Sequence, residues 1–115
     1  VVAQATVTVH VAGERVIATA EGNGPVNALD GALRQALGAH VPWLDTVELS
    51  DYKVRIVPGT SGTDAVTRVL VDSSDGTGSW TTVGVHSNVV EASWLALLDA
   101  MTYAALRHHG VASTA

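Results

Sequence analysis

Part of this chain is written twice, and that duplication limits its possible folds more than any other feature. The stretch Gly84-Val85-His86-Ser87-Asn88-Val89-Val90-Glu91-Ala92 reads as a strand end, a tight polar turn and a helix start. Asn88 suits an N-cap, and Glu91, three residues on, could reach back to the cap's own N–H as a capping box. Val90, Trp94, Leu97, Met101 and Ala104 then recur at steps of three and four, which predicts one apolar helical face. An earlier copy aligns Gly24-Pro25-Val26-Asn27-Ala28 with Asn88-Val89-Val90-Glu91-Ala92, and Ala32-Leu33 with Ala96-Leu97. Pro25 falls at the first helical position, where its missing N–H costs nothing. Each helix follows a strand pair: Ala5 to Val11 with Arg15 to Glu21, and Ala65 to Val71 with Trp80 to His86. The expected class is α+β. It is built from internally duplicated β-β(-β)-α units with pseudo-twofold symmetry, their two helices packed on antiparallel sheet.

A chain of 115 residues makes a single domain, here residues 1–115 with a core over about 6–107. Net charge is −5 and the few Lys and Arg are scattered along the sequence, a pattern that speaks against nucleic acid or an anionic membrane as partner. With no Cys there is no disulfide framework, thiolate site or cysteine nucleophile. No apolar run is expected to span a membrane and no signal peptide is visible, so the expected location is cytoplasmic. The chain opens at Val1 rather than Met, as a piece excised from a longer polypeptide would.

Taken in order, Val7, Val9 and Val11 alternate with Thr6, Thr8 and His10, and Val16, Ala18 and Ala20 continue that alternation on the return strand. The loop Glu21-Gly22-Asn23-Gly24-Pro25 lacks the further Gly and the Lys of phosphate-cradling patterns. Val26, Leu29, Ala32, Leu33 and Leu37 stripe the first helix, with Gly38 as its expected C′ stop. Thr46 to Val57 reads as extended. Its apolar parity changes between Leu49 and Tyr52, which predicts a bulge near Ser50-Asp51. On periodicity alone Tyr52 fits an amphipathic edge residue with a wet hydroxyl better than a pocket wall. Val66 and Leu70 share one strand face and Val69 and Val71 the other, as in a central strand. Asp75-Gly76 marks a hairpin whose tip is expected to be mobile and the tail from Gly110 to be frayed, while the small-residue loop 58–64 suits either mobility or close approach by a ligand.

No catalytic constellation emerges. The adjacent His86 and Ser87 cannot orient as base and nucleophile, and no acidic pair flanks a cleft. The histidines lack metal-ligand spacing, so no metal and no cofactor is expected in this domain. Two helix N-termini with amides free for a carboxylate remain, beside the small apolar residues Val26, Val85 and Val89. That combination suits a free aliphatic amino acid.

The segments Gly22-Asn23-Gly24-Pro25-Val26-Asn27-Ala28-Leu29, Asp51-Tyr52, Gly62-Thr63-Asp64-Ala65, Thr82-Val83-Gly84-Val85 and Glu91-Ala92-Ser93 occur in that order. Together they resemble the C-terminal regulatory domain of the α-isopropylmalate synthase and citramalate synthase family. The resemblance implies a homodimeric allosteric domain that binds leucine or isoleucine. It also implies that binding inhibits a catalytic barrel on the same polypeptide, an acyltransferase joining acetyl-CoA to a 2-oxo acid with a divalent metal. By motif, Gly22, Asn23, Gly24, Pro25 and Val26 would meet the effector's polar end. Leu49, Tyr52 and Ile56 would line its side-chain pocket, Ala65 would border it, and Val85 and Ser87 would contribute from the second helix N-terminus. The wording around Trp80 and Ser93-Trp94 is closer to the citramalate synthase branch, which favours isoleucine. The rival expectation is a structural homodimerisation module without a ligand.

Overall fold

Valine–threonine alternation gives the first hairpin: β1 (Ala3–Val11) pairs antiparallel with β2 (Glu14–Gly22), Val7 opposite Ala18 and Val9 opposite Val16. The computed structural model describes residues 2–11, 13–58 and 65–108. The expected loop mobility over 59–64 and the expected frayed tail lie outside those residues. The chain divides into two compact units, Val1–Asp45 and Thr46–Ala115, and each is described by itself.

In the first unit α1 (Pro25–Leu37) covers one face of the hairpin. Val26, Ala28, Leu29, Ala32, Leu33 and Ala36 are buried there with Val7. Full burial of a side chain such as Leu33 contributes about 1.5–3 kcal/mol. Apart from the exposed Ile17, the other hairpin face is polar, with Thr6 Oγ1 2.8 Å from Thr19 Oγ1. Gly38 ends the helix with right-handed dihedrals (φ −55°, ψ −36°), so it is not the left-handed stop expected of it. The amides of His40 and Val41 both donate to Leu37 O, and a short 3-10 helix follows at Pro42–Thr46. That turn shortens the extended segment expected from Thr46.

The second unit holds β3 (Glu48–Val57), β4 (Val66–Ser74), β5 (Ser79–His86) and α2 (Val89–His108). The three strands form an antiparallel sheet in the order β3-β4-β5, with β4 central as its two-faced pattern predicts. The β3–β4 register shifts between Leu49 and Asp51, which is the bulge that the parity change required. α2 packs on β4 and β5. Leu97, Met101 and Ala104 of the expected stripe are buried, but Val90 is 46% exposed and Trp94 half-buried, and the buried face is completed by Ala92, Ser93, Ala96 and Ala100. Small residues win because strand and helix backbones nearly touch. A Cβ on Gly84 would run into the Ala92 carbonyl and stand 2.8 Å from Ala96 N. By length and apolar content α2 alone would suit a bilayer span, contrary to expectation, yet its alanine row is core on the sheet.

The hairpin tip is not the loose end the sequence suggests. Asp75 Oδ1 accepts hydrogen bonds from the Thr77 and Gly78 amides, both at 3.0 Å, and Gly76 takes φ +86°. Arg107, at the far end of α2, donates from Nε to Asp75 Oδ2 at 3.1 Å and lies 5.1 Å above the Trp80 ring. Trp80 in turn donates to Ala100 O at 3.3 Å and packs on Tyr103.

Candidate functional site

The alignment of the two copies is reproduced in the backbone. Ala28 N donates to Gly24 O at 3.0 Å and Ala92 N to Asn88 O at 2.9 Å, the opening helical bonds at matching positions. Chemically, however, the two N-termini have diverged.

At α2 the site is closed upon itself. Asn88 Oδ1 accepts from Val90 N at 2.7 Å and Glu91 N at 3.2 Å. The expected return bond from Glu91 is absent; the Asn88 amide instead donates to His86 Nδ1 at 3.0 Å. Glu91 adds an acidic side chain to the first turn. Amides engaged this way, next to a carboxylate, offer little to an incoming anion. The expectation of free amides at this N-terminus is thereby corrected for Val90 and Glu91.

At α1 nothing takes that place. Gly24 is the N-cap, extended at φ −158° and ψ 176°, with no side-chain cap, and the first turn carries no acidic residue. Pro25 has no N–H, and no cap side chain engages the amides of Val26 and Asn27 at the positive end of the helix dipole. Val26, backbone included, is 1% exposed and belongs to the core, whereas Asn27 is half-buried. Gly22 presses against this turn: a Cβ there would lie 2.6 Å from Ala28 N. Asn23 and Pro25 are exposed beside it.

The remaining sequence-derived residues belong to the second unit. Through the bulge, Leu49, Tyr52 and Ile56 fall on one sheet face, opposite Ser73, Val71 and Thr67 respectively. Exposure increases along that row, from half-buried Leu49 and Tyr52 to Ile56 at 66%. Val85 pairs with Arg68 and so lies on the opposite face; the sheet does not bring it to Tyr52. Ala65 and Ser87 are exposed at strand ends. Among the described residues no three His, Asp or Glu side chains gather as a metal site requires. Sequence reasoning missed His86 as the cap's partner, because the capping-box pattern directs attention to Glu91.

One further polar group is unusual. Asp30, on α1, binds Arg34 Nε through Oδ2 at 2.9 Å, while its buried Oδ1 has no partner. Burial pushes its carboxyl above the usual value, and Arg34 only partly offsets that.

Compared with known proteins, residues 1–105 match the family described as the LeuA allosteric (dimerisation) domain. The chain is 60% identical to an (R)-citramalate synthase of Streptomyces coelicolor over 90% of its own length and 20% of the relative's. It is 54% identical to an (R)-citramalate synthase of Synechocystis sp., over 88% of the chain and 18% of the relative. It is 36% identical to a 2-isopropylmalate synthase of Solidesulfovibrio magneticus, over 84% and 17%. The chain therefore spans about a fifth of the length of the curated relatives it matches.

Proposed function

The chain belongs to the LeuA allosteric (dimerisation) domain family, and from that premise we propose that it is the amino-acid-sensing part of a synthase, binding a branched-chain amino acid as feedback effector. The observation that carries this reading is the difference between the two helix N-termini. One is satisfied by Asn88 and His86, whereas the other is glycine-flanked, has no side-chain cap and carries no acidic residue in its first turn. The effector's carboxylate is assigned to the Val26 and Asn27 amides, approached across Gly24. The proposed effector is isoleucine rather than leucine, a preference supported by the higher identity to (R)-citramalate synthases than to a 2-isopropylmalate synthase. The attached catalytic part is proposed to be the acyltransferase that condenses acetyl-CoA with a 2-oxo acid, and it would carry the divalent metal. The working form is proposed to be a homodimer, which the family's dimerisation role supports.

Feedback inhibition requires the effector to prefer the inhibited arrangement, typically by about 1–3 kcal/mol of coupling. Calorimetric titration of the chain with isoleucine, leucine and valine tests the binding step. Saturable heat with at least one, isoleucine strongest, is expected. No heat with any of the three would leave the structural-module reading in its place.

A further inference from the structure

Three asparagines stand in the chain, at 23, 27 and 88, and only the first is followed by glycine. Asn23-Gly24 lies between elements: the β1–β2 ladder ends at Gly22 and α1 begins at Pro25. Asn23 is exposed, and among the described residues its side chain takes part in no hydrogen bond or ion pair. Gly24 gives its carbonyl to Ala28 N at 3.0 Å, while its own N–H serves neither ladder nor helix. The comparable positions elsewhere are blocked. Ala28 N, next to Asn27, is the donor in that bond. Asn88 holds its Oδ1 on the Val90 and Glu91 amides and is followed by the β-branched Val89. Asp30-Gly31 lies inside α1, and Asp75, before Gly76, is held by Arg107 and by the Thr77 and Gly78 amides.

We propose that Asn23 is a self-modifying site, where the side-chain amide is lost as ammonia and a carboxylate takes its place. The Gly24 amide nitrogen gives up its proton and attacks Asn23 Cγ, with no Cβ on Gly24 to hinder the approach. A bond from that nitrogen to Cγ forms, the Cγ–Nδ2 bond breaks, and Nδ2 leaves with the proton as ammonia. Water then opens the five-membered imide at either carbonyl, leaving aspartate or isoaspartate. Water is the only co-reactant. Either product sets a carboxylate one residue before the N-cap of α1, at the positive end of the helix dipole, where negative charge is favoured. The first helix N-terminus thereby gains what the second has in Glu91, an acidic side chain of its own. On the effector reading above, this charge opposes the carboxylate assigned to the Val26 and Asn27 amides, so an aged chain loses its effector. Only that consequence rests on the effector reading; the modification does not.

Incubation of the chain at pH 8 and 37 °C, followed by mass spectrometry, tests the chemistry. A gain of about 1 Da should accumulate within days. Fragmentation of the tryptic peptide 16–34 should place it on Asn23 rather than Asn27. Asn23→Gln, whose ring closure would need six members, should suppress the gain. So should Gly24→Val, which sets a β-branched side chain beside the attacking nitrogen. A wild type that stays unmodified, or a gain that falls on Asn27 or persists in both variants, would overturn the proposal. Anion exchange then separates the modified chain from the unmodified one for calorimetry. The modified form should bind isoleucine about tenfold more weakly, because two carboxylates repel, and Asn23→Asp should show the same loss. Equal binding by the two forms would overturn the assigned consequence. An unmodified chain that binds no isoleucine would remove the effector reading and leave the modification standing.

Discussion

Gly84 decides how closely helix and sheet approach in the second unit. With the Ala92 carbonyl and Ala96 N in the space a side chain would need, Gly84→Ala must push α2 off β5. Overpacking of this kind costs about 1–3 kcal/mol, so the melting temperature should fall by several degrees. An unchanged melting curve would mean that the approach is looser than described. The signal was present in the sequence: Ala92, Ala96, Ala100 and Ala104 repeat every fourth residue. A periodicity argument weights Val90 and Trp94 above alanine, whereas a glycine on the facing strand reverses that preference. His86 was harder to see. Its ring nitrogen reaches the Asn88 amide only because the strand ends where it does.

At the scale of elements, α1 and the β4–β5 hairpin respond to pH with opposite sign. Asp30 has a folded pKa raised above its ordinary 3.8. Between those two values the folded state binds more protons than the unfolded one, and its stability rises as pH falls. Asp75 is held well below the usual carboxylate range, chiefly by the Arg107 hydrogen bonds and then by Thr77. Its contribution is complete above the unfolded value and is lost as pH drops below about 4. Thermal melts from pH 7 to 3 should show Asp30→Asn abolishing the rise on mild acidification. Asp75→Asn should be less stable at neutral pH and flatter in acid. Wild-type pH slopes in both variants would contradict these assignments. The bulge in β3 was legible from parity alone, since a period of two leaves no other way to keep Leu49 and Tyr52 on one face. The tethered hairpin tip was not, because Arg107 lies 32 residues from Asp75 and no local pattern joins them.

For the whole molecule, the duplication made both units' order of strands and helix legible, and the family resemblance extended that to a regulatory role. The grouping of three basic residues on one sheet face was invisible for a physical reason. Lys53, Arg55 and Arg68 look scattered until strand register places them side by side. The divergence of the two helix N-termini was equally hidden, since both copies offer small or polar residues and only geometry shows which amides are already engaged. The most direct measurement is a calorimetric titration of isoleucine into wild type and Gly24→Val. Gly24 is extended, at φ −158°, a conformation open to any residue, so the variant should fold and melt like wild type. A side chain over the Val26 and Asn27 amides should weaken isoleucine binding tenfold or more, about 1.4 kcal/mol. Equal affinity in the two proteins, or no binding in wild type, would contradict the assignment of the effector to the first helix N-terminus.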